Sequence, residues 1–193
     1  MSGIRFIFNN GVSAYQNRSY NFVGLACYKE ETKILCFVNG IEKYVNIEKL
    51  KKGDLVKTLK DGYKKIDLIG KNTLLNNPNS EFNCLYKIYN NNGEILYITG
   101  EHLLLVDNIY MDNIVMTDYK IKFYSFNYKI DDYKCVLACD FGEKVLDTNN
   151  YNVYHFVLES NDNDKHYGIY ANGIKSESTS KNNFIKNNYQ ILN

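Results

Sequence analysis

Residues 45–58 read VNIEKLKKGDLVKT, and this stretch sets the pattern for the whole chain. It opens with alternating apolar and polar residues, which is typical of a half-buried strand. It continues through a helical turn or tight loop to a turn at Gly53. Residues 54–59 and 63–69 then flank Lys60-Asp61-Gly62, which predicts a β-hairpin. The stretch therefore predicts short antiparallel strands joined by tight turns.

The same pattern extends in both directions along the chain. The sequence holds 18 Tyr and 10 Phe but only one Pro, and aromatic rings suit a pleated, half-buried surface. Further strands are predicted at residues 32–38, 85–89, 94–99, 103–106, 135–139, 153–159 and 167–170. Residues 110–128 are ambiguous, and residues 176–193 are rich in Ser, Lys and Asn. The sequence therefore predicts an all-β domain followed by a polar tail.

Composition narrows the class of protein. A chain of 193 residues, 45% of them hydrophobic, is large enough for one domain with a core. Its net charge of +1 gives no strong field to attract nucleic acid or an anionic membrane, so neither is expected as a partner. The N-terminus lacks the apolar core of a secretory signal, and no run approaches the ~20 apolar residues that span a bilayer. We expect a soluble, intracellular protein.

Five cysteines stand at positions 27, 36, 84, 135 and 139. An odd number without regular spacing argues against a disulfide framework. Cys135 and Cys139 form the one close pair, and no second pair completes the four ligands of a zinc site. We therefore expect neither a metal nor a cofactor.

Cys27 can act on the peptide bond that precedes it. Its thiol can attack the carbonyl carbon of Ala26 through a five-membered ring, and the acyl group then moves from nitrogen to sulfur to give a thioester. Such intramolecular attack can have an effective molarity on the order of 10⁵ M or more. The difficult part is the loss of amide resonance and the expulsion of an amine.

The run Thr99–His102 (TGEH) supplies groups that can assist this reaction. The imidazole of His102 can donate a proton to the leaving nitrogen, and the Thr99 hydroxyl can hold either the peptide or the ring. Each residue also has a simpler interpretation, because lone cysteines are usually small buried hydrophobes and a single His in a strand is usually structural. The conjunction and order of these residues favour the catalytic interpretation.

These motifs together resemble the Hint module, the self-processing domain shared by Hedgehog C-terminal domains and inteins. Residues 27–35 (CYKEETKIL) look like its opening strand, and residues 45–56 are similar to its V-x-I-x-x-L-x-x-G-D-x-V signature. Thr99–His102 matches its Thr-x-x-His block, while residues 153–157 and 170–174 look like its two C-terminal strands. The likeness covers about residues 24 to 178, and the wording of residues 167–173 also resembles stand-alone Hint proteins of large DNA viruses.

The resemblance implies a Hint-type horseshoe of short antiparallel strands with pseudo-twofold halves. It also implies that Cys27 is the nucleophile and that Thr99 and His102 activate the amide. Inteins end in His-Asn, whereas residues 175–179 read KSEST and offer no Asn to cut a second junction. Full splicing is therefore not expected.

A second departure concerns the strand that carries an Asp in many members of the family, where this chain has His155. His155 can act as a base for an incoming water or be a structural replacement. Asp140 is a further candidate partner of the site, with a strand-end turn residue as its simpler interpretation. His166 is expected to be exposed and inert. Ser176, Ser178 and Thr179 can in principle accept an acyl group but are expected to be solvated.

The sequence thus predicts a leader at residues 1–26, a Hint domain at 27–178 and a polar tail at 179–193. The expected function is an acyl shift at the bond between Ala26 and Cys27. The substrate is the chain's own N-terminal segment, and water or a small nucleophile is the acceptor. A sterol acceptor is not favoured. The alternatives are a binding or structural protein that keeps the fold without cleaving, and a cysteine hydrolase acting on other molecules.

Overall fold

The computed structural model describes residues 25–107, 120 and 127–192. Its strands are β1 (Tyr28–Lys29), β2 (Lys33–Val38), β3 (Ile41–Asn46), β4 (Leu55–Lys57), β5 (Tyr63–Leu75), β6 (Leu85–Tyr89), β7 (Ile95–Thr99), β8 (Leu103–Val106), β9 (Lys129–Ile130), β10 (Tyr133–Leu137), β11 (Glu143–Lys144), β12 (Asn150–Leu158), β13 (Gly168–Ala171), β14 (Ile174–Glu177) and β15 (Gln190–Ile191). A 3₁₀ turn covers Ile47–Lys49, and two short helices are α1 (Ala138–Phe141) and α2 (Lys181–Lys186). Among the described residues no helix is long and apolar enough to cross a membrane.

Every pair between the strands described here is antiparallel, so the predicted all-β fold of short antiparallel strands is confirmed. The two longest strands, β5 with 13 residues and β12 with nine, pair along most of their length. The two-residue strand β1 is inserted between β12 and β7. A strand this short is held in place by its neighbours on both sides, which fixes the residue immediately before it.

The stretch at residues 45–58 folds largely as predicted. β3 is followed by the 3₁₀ turn, which is the helical turn allowed by the sequence, and Gly53 adopts a left-handed conformation with φ of 92°. β4 and the first residues of β5 form the predicted hairpin, with Lys57 opposite Tyr63 and Gly62 at φ 68° in the turn. The ambiguous segment 110–128 lies mostly outside the described residues, as do residues 1–24 of the predicted leader.

The segment after residue 178 is packed onto the sheet, which differs from the expected polar tail. Helix α2 is followed by β15, which pairs with β5 opposite Gly70 and Lys71. Phe184 and Tyr189 are buried, and their rings stack with centroids 4.6 Å apart. Both aromatic residues belong to the apolar cluster around Cys27, and the polar residues between them in sequence conceal this packing. The predicted boundary at residue 178 therefore does not end the folded unit.

The hydroxyl residues expected to be solvated are buried as well. Ser176, Ser178 and Thr179 have 5% or less of their surface exposed. Ser176 lies in β14 between β13 and β8, and the backbone of Thr179 donates a hydrogen bond to Phe156. The segment continues the sheet instead of leaving it, so these side chains are enclosed by neighbouring strands.

Candidate functional site

Cys27 lies directly before β1, and both it and its peptide groups are held by surrounding strands. The residue has no exposed surface, and its carbonyl oxygen accepts a hydrogen bond from the backbone nitrogen of Thr99 at 3.0 Å. Its side chain packs in an apolar cluster with Leu85, Val153 and Phe184. Burial raises the pKa of the Cys27 thiol well above its ordinary value, so the resting side chain is the neutral thiol.

The Thr99 hydroxyl connects the two peptide groups on either side of Ala26. Its oxygen accepts the backbone N–H of Cys27 at 2.8 Å and donates its own hydrogen to the carbonyl oxygen of Leu25. Thr99 is the last residue of β7, which pairs with β1, so the sheet brings it to this position. One side chain therefore fixes the orientation of the bond between Ala26 and Cys27.

The Thr-x-x-His spacing corresponds to one tight turn. The backbone N–H of His102 donates to the carbonyl of Thr99 at 3.0 Å, which closes the turn between β7 and β8. A Cβ on Gly100 would meet the carbonyl oxygen of Glu81 at 1.9 Å, so only glycine fits there. The four-residue run therefore places Thr99 and His102 at the two ends of one rigid loop.

The His102 ring is fully buried against Tyr28, the residue that follows Cys27. Its centroid lies 4.2 Å from that of the Tyr28 ring. Its Nδ1 lies 3.4 Å from the carbonyl oxygen of Leu103, which can only accept, so Nδ1 carries the proton of the neutral ring. Nε2 is then a bare acceptor and has no hydrogen-bond partner among the described residues. Burial lowers the pKa of His102 to about 4, and the Glu177 carboxylate opposes this in part.

This arrangement differs from the expected donation by His102 to the nitrogen of Cys27. That N–H is directed at the Thr99 oxygen, and the neutral His102 ring offers an acceptor at Nε2. His102 can therefore donate a proton only after it has taken one up. Its assignment as the acid for the leaving amine stays a prediction.

His155 lies beside His102 in the same buried region. The ring centroids are 5.0 Å apart, and neither ring nitrogen of His155 has a hydrogen-bond partner among the residues the structure describes. Burial, reinforced by the nearby His102, lowers the pKa of His155 well below its ordinary value. An imidazole buried without partners is costly, so the position is unusual for a purely structural residue.

Tyr28 and Tyr189 complete the site, and sequence reasoning singled out neither. The Tyr28 hydroxyl donates to the carbonyl oxygen of Glu177 at 2.6 Å and accepts from Ser176 at 2.7 Å, so it anchors the ring against which His102 packs. The Tyr189 hydroxyl donates to the carbonyl oxygen of Ala26 at 2.8 Å and accepts the Cys27 thiol hydrogen at 3.5 Å. A buried tyrosine needs a hydrogen-bond partner for its hydroxyl. The tyrosine residue type itself was therefore the only feature of the sequence that could have pointed to these two positions.

Two other residues considered from the sequence lie in different surroundings. The carboxylate of Asp140 pairs with the buried ammonium of Lys120 at 2.5 Å. His166 was expected to be exposed, and this is wrong. It is buried, and its Nδ1 lies 2.7 Å from the carboxylate of Glu177 and 3.1 Å from the carbonyl of Ser178. The reason is that the Glu177 carboxylate, at the end of β14, faces the loop that carries His166 and forms a hydrogen bond with its ring.

Cys135 and Cys139, the close pair in sequence, lie apart from Cys27. Cys135 and Cys139 contribute to a different apolar cluster from that of Cys27. All five cysteines are free thiols. Within residues 25–107, 120 and 127–192, no group of three or more His, Cys, Asp or Glu side chains is placed to hold a metal ion.

Comparison with known proteins gives similarity in fold. No protein-family model matches this sequence, and no curated protein matches it. The gp41-1 intein is 16% identical, with 79% of this chain and 98% of the intein covered and a TM-score of 0.45. A DnaB intein from Synechocystis sp. PCC 6803 is 13% identical, with 80% and 99% covered and a TM-score of 0.46. A bacterial intein-like domain from Clostridium thermocellum is 13% identical, with 81% and 100% covered and a TM-score of 0.47.

Proposed function

We propose that this chain is a self-processing domain of the Hint type that converts the peptide bond between Ala26 and Cys27 into a thioester and then releases the preceding segment. The observation that carries the proposal is the double hydrogen bond of the Thr99 hydroxyl. It accepts from the nitrogen of Cys27 in the scissile peptide and donates to the carbonyl of Leu25 in the preceding one, which fixes the two peptide groups on either side of Ala26 relative to each other. Orientation of this kind is what an intramolecular attack needs.

The overall acyl shift moves one proton from sulfur to nitrogen. The sulfur of Cys27 forms a bond to the carbonyl carbon of Ala26, and the carbonyl π pair moves to oxygen. When the tetrahedral intermediate collapses, the carbon–nitrogen bond breaks, its electron pair stays on nitrogen, and the nitrogen takes up a proton. The product is a thioester on the Cys27 sulfur with a free amine on the same residue.

His102 is assigned to the second half of this step. The bare Nε2 can accept a proton released as the tetrahedral intermediate collapses and deliver it to the departing nitrogen. A low pKa suits such a transfer, because an imidazolium with a pKa of about 4 is a strong proton donor. The buried setting also excludes bulk water while the intermediate exists.

The thioester is resolved by water or by a small nucleophile, which separates residues 1–26 from the domain. Cleavage at this one junction, instead of splicing, is supported by the stretch 174–179, which contains no Asn. A Hedgehog-type transfer to a sterol is not favoured.

The test is the intact mass of the purified chain over time, with and without dithiothreitol. We expect a fragment that begins at Cys27 and forms faster with the thiol, because thiolate exchange captures a thioester. Cys27→Ala should give no fragment, and Cys27→Ser is the matched variant that keeps a weaker nucleophile. A chain that stays whole in all conditions would contradict the proposal and support the non-cleaving alternative.

A further inference from the structure

We propose that Tyr189 is a catalytic residue of the acyl shift, which passes the thiol proton of Cys27 to the carbonyl oxygen of Ala26 during sulfur attack. This inference rests on the proposed function. It comes from a residue that follows the region of sequence likeness, in the segment expected to be a tail. The phenol is the one described group that contacts both atoms whose bonding changes in the addition step.

The directions of the two hydrogen bonds define the relay. The thiol hydrogen of Cys27 points at the Tyr189 oxygen over 3.5 Å, and the Tyr189 hydrogen points at the Ala26 carbonyl oxygen over 2.8 Å. The hydroxyl thus accepts from the nucleophile and donates to the electrophile at the same time. Thiol, phenol and carbonyl form a closed path along which two protons can move in one direction.

The addition step then proceeds without forming any charged species. The sulfur–carbon bond forms as the thiol proton moves to the Tyr189 oxygen. The carbonyl π pair moves to the Ala26 oxygen, which takes the original phenol proton. The result is a neutral tetrahedral intermediate and an unchanged tyrosine.

A neutral path suits the surroundings of this site. Cys27 has no exposed surface and Tyr189 has 7%, and isolated charges are costly in such an interior. Burial raises the pKa of both groups, so neither a thiolate nor a phenolate forms readily. The His102 ring makes no hydrogen bond to the Cys27 sulfur, so the only contact that can remove the thiol proton among the described residues is Tyr189.

The fold places Tyr189 with little freedom. Its ring stacks on Phe184, and the adjacent β15 pairs with β5 opposite Gly70. A Cβ on Gly70 would lie 2.7 Å from the Cβ of Tyr189 and 2.9 Å from the Phe184 ring. The absence of a side chain at Gly70 therefore lets the phenol approach the scissile carbonyl.

The test compares cleavage rates in dithiothreitol for the wild-type chain, Tyr189→Phe and Tyr151→Phe. Tyr151 packs in the same apolar cluster as Cys27, but its hydroxyl donates to Asp147 at 2.7 Å, outside the site. We expect Tyr189→Phe to be slower by roughly 10²-fold, the usual effect of removing a group that transfers a proton in the transition state. Tyr151→Phe should cleave as the wild type does. Gly70→Ala should resemble Tyr189→Phe, because the added Cβ displaces the phenol.

The outcomes separate the two proposals. If the wild type cleaves and folded Tyr189→Phe cleaves at the same rate, the relay is wrong and the proposed function stands. If the wild type never cleaves, both proposals fail. Should Tyr189→Phe not fold, the cleavage rate of the wild-type chain in mixtures of H₂O and D₂O tests the relay. Two protons that move together predict a rate that depends on the deuterium fraction along a curve, and a linear dependence would overturn the relay.

Discussion

The side-chain oxygen of Thr99 lies 2.8 Å from the backbone nitrogen of Cys27, although 72 residues separate them in sequence. The same hydroxyl donates to Leu25, so it spans the peptide bond that we propose to be cleaved. Removing the hydroxyl leaves a buried N–H without its acceptor and frees the peptide to rotate. Stability and reaction rate therefore depend on one atom.

Thr99→Val should show both effects, because valine keeps the shape and lacks the hydroxyl. We expect a loss of about 1–3 kcal/mol in the free energy of unfolding, the usual cost of an unsatisfied buried group. Cleavage in dithiothreitol should slow by roughly 10²-fold through misorientation. Thr99→Ser, which retains the oxygen, should stay close to the wild type. Urea unfolding and intact mass measure the two quantities, and equal behaviour of the valine and serine variants would contradict the assignment.

His102→Ala should slow thioester formation by roughly 10²-fold or more, the scale of a lost general acid. His102→Leu is the matched variant, because it fills the volume beside Tyr28 without supplying a nitrogen. Equal slowing of both variants would attribute the effect to the imidazole. A leucine variant that cleaves at the wild-type rate would instead remove His102 from the chemistry and leave it a packing role.

His155 offers a test that separates the two resolving nucleophiles. Because both ring nitrogens lack partners among the described residues, His155→Leu should raise the free energy of unfolding by about 1 kcal/mol. If the imidazole activates water, release without added thiol should slow by roughly 10²-fold. Release by dithiothreitol should change little, since a thiol needs no such base. Equal slowing of both reactions would point to a positioning role.

Stability should fall on the acidic side of neutrality. The pKa of His102 is about 4 in the folded chain against an ordinary value of 6.5, and that of His155 is lowered in the same direction. The unfolded chain therefore binds more protons below pH 6.5. The stability linked to His102 is full above that pH and is lost as pH falls toward 4, a change of about 3 kcal/mol.

The measurement is urea unfolding at several pH values between 7.5 and 4. The difference between the wild type and a His102→Leu, His155→Leu double variant isolates the two imidazoles from the carboxylates. We expect the double variant to lose less stability on acidification. Parallel pH curves for the two proteins would show that the imidazoles do not stay neutral in the folded state.

Gly100→Ala should disrupt the turn that joins Thr99 to His102. The added Cβ would overlap the carbonyl oxygen of Glu81, which is backbone and cannot move aside cheaply. We expect a loss of several kcal/mol together with loss of cleavage. Gly93→Ala is the control, because Gly93 has φ of 80° and no atom within 4 Å of the added Cβ. Its cost should be about 1 kcal/mol, and comparable costs at the two sites would refute the steric argument.

The parts of the fold set by local signals were predictable from the sequence. The hairpin between β4 and β5 follows from Asp61-Gly62, and the strand class follows from alternating and aromatic residues. The proximity of Cys27 and Thr99 was anticipated from the resemblance to a known family and not from spacing. Their hydrogen bonds depend on a sheet that joins distant strands, so the sequence alone contains no measure of them.

The residues that were missed are polar groups whose burial depends on distant partners. His166 is enclosed because Glu177 faces it from another strand, and Ser176 because Tyr28 does. Tyr189 stands among Asn and Lys residues, in a composition typical of a solvated tail. Its approach to Ala26 depends on the pairing of β15 with β5. A strand of two residues is too short to be predicted from its sequence pattern.

The position of β15 has a consequence for timing during synthesis. Tyr189 follows Cys27 by 162 residues, so a chain emerging from the ribosome presents its sulfur long before its phenol. Under the relay proposed above, the bond between Ala26 and Cys27 stays intact during translation until β15 has paired with β5. Cleavage would therefore follow the folding of the segment that carries Tyr189.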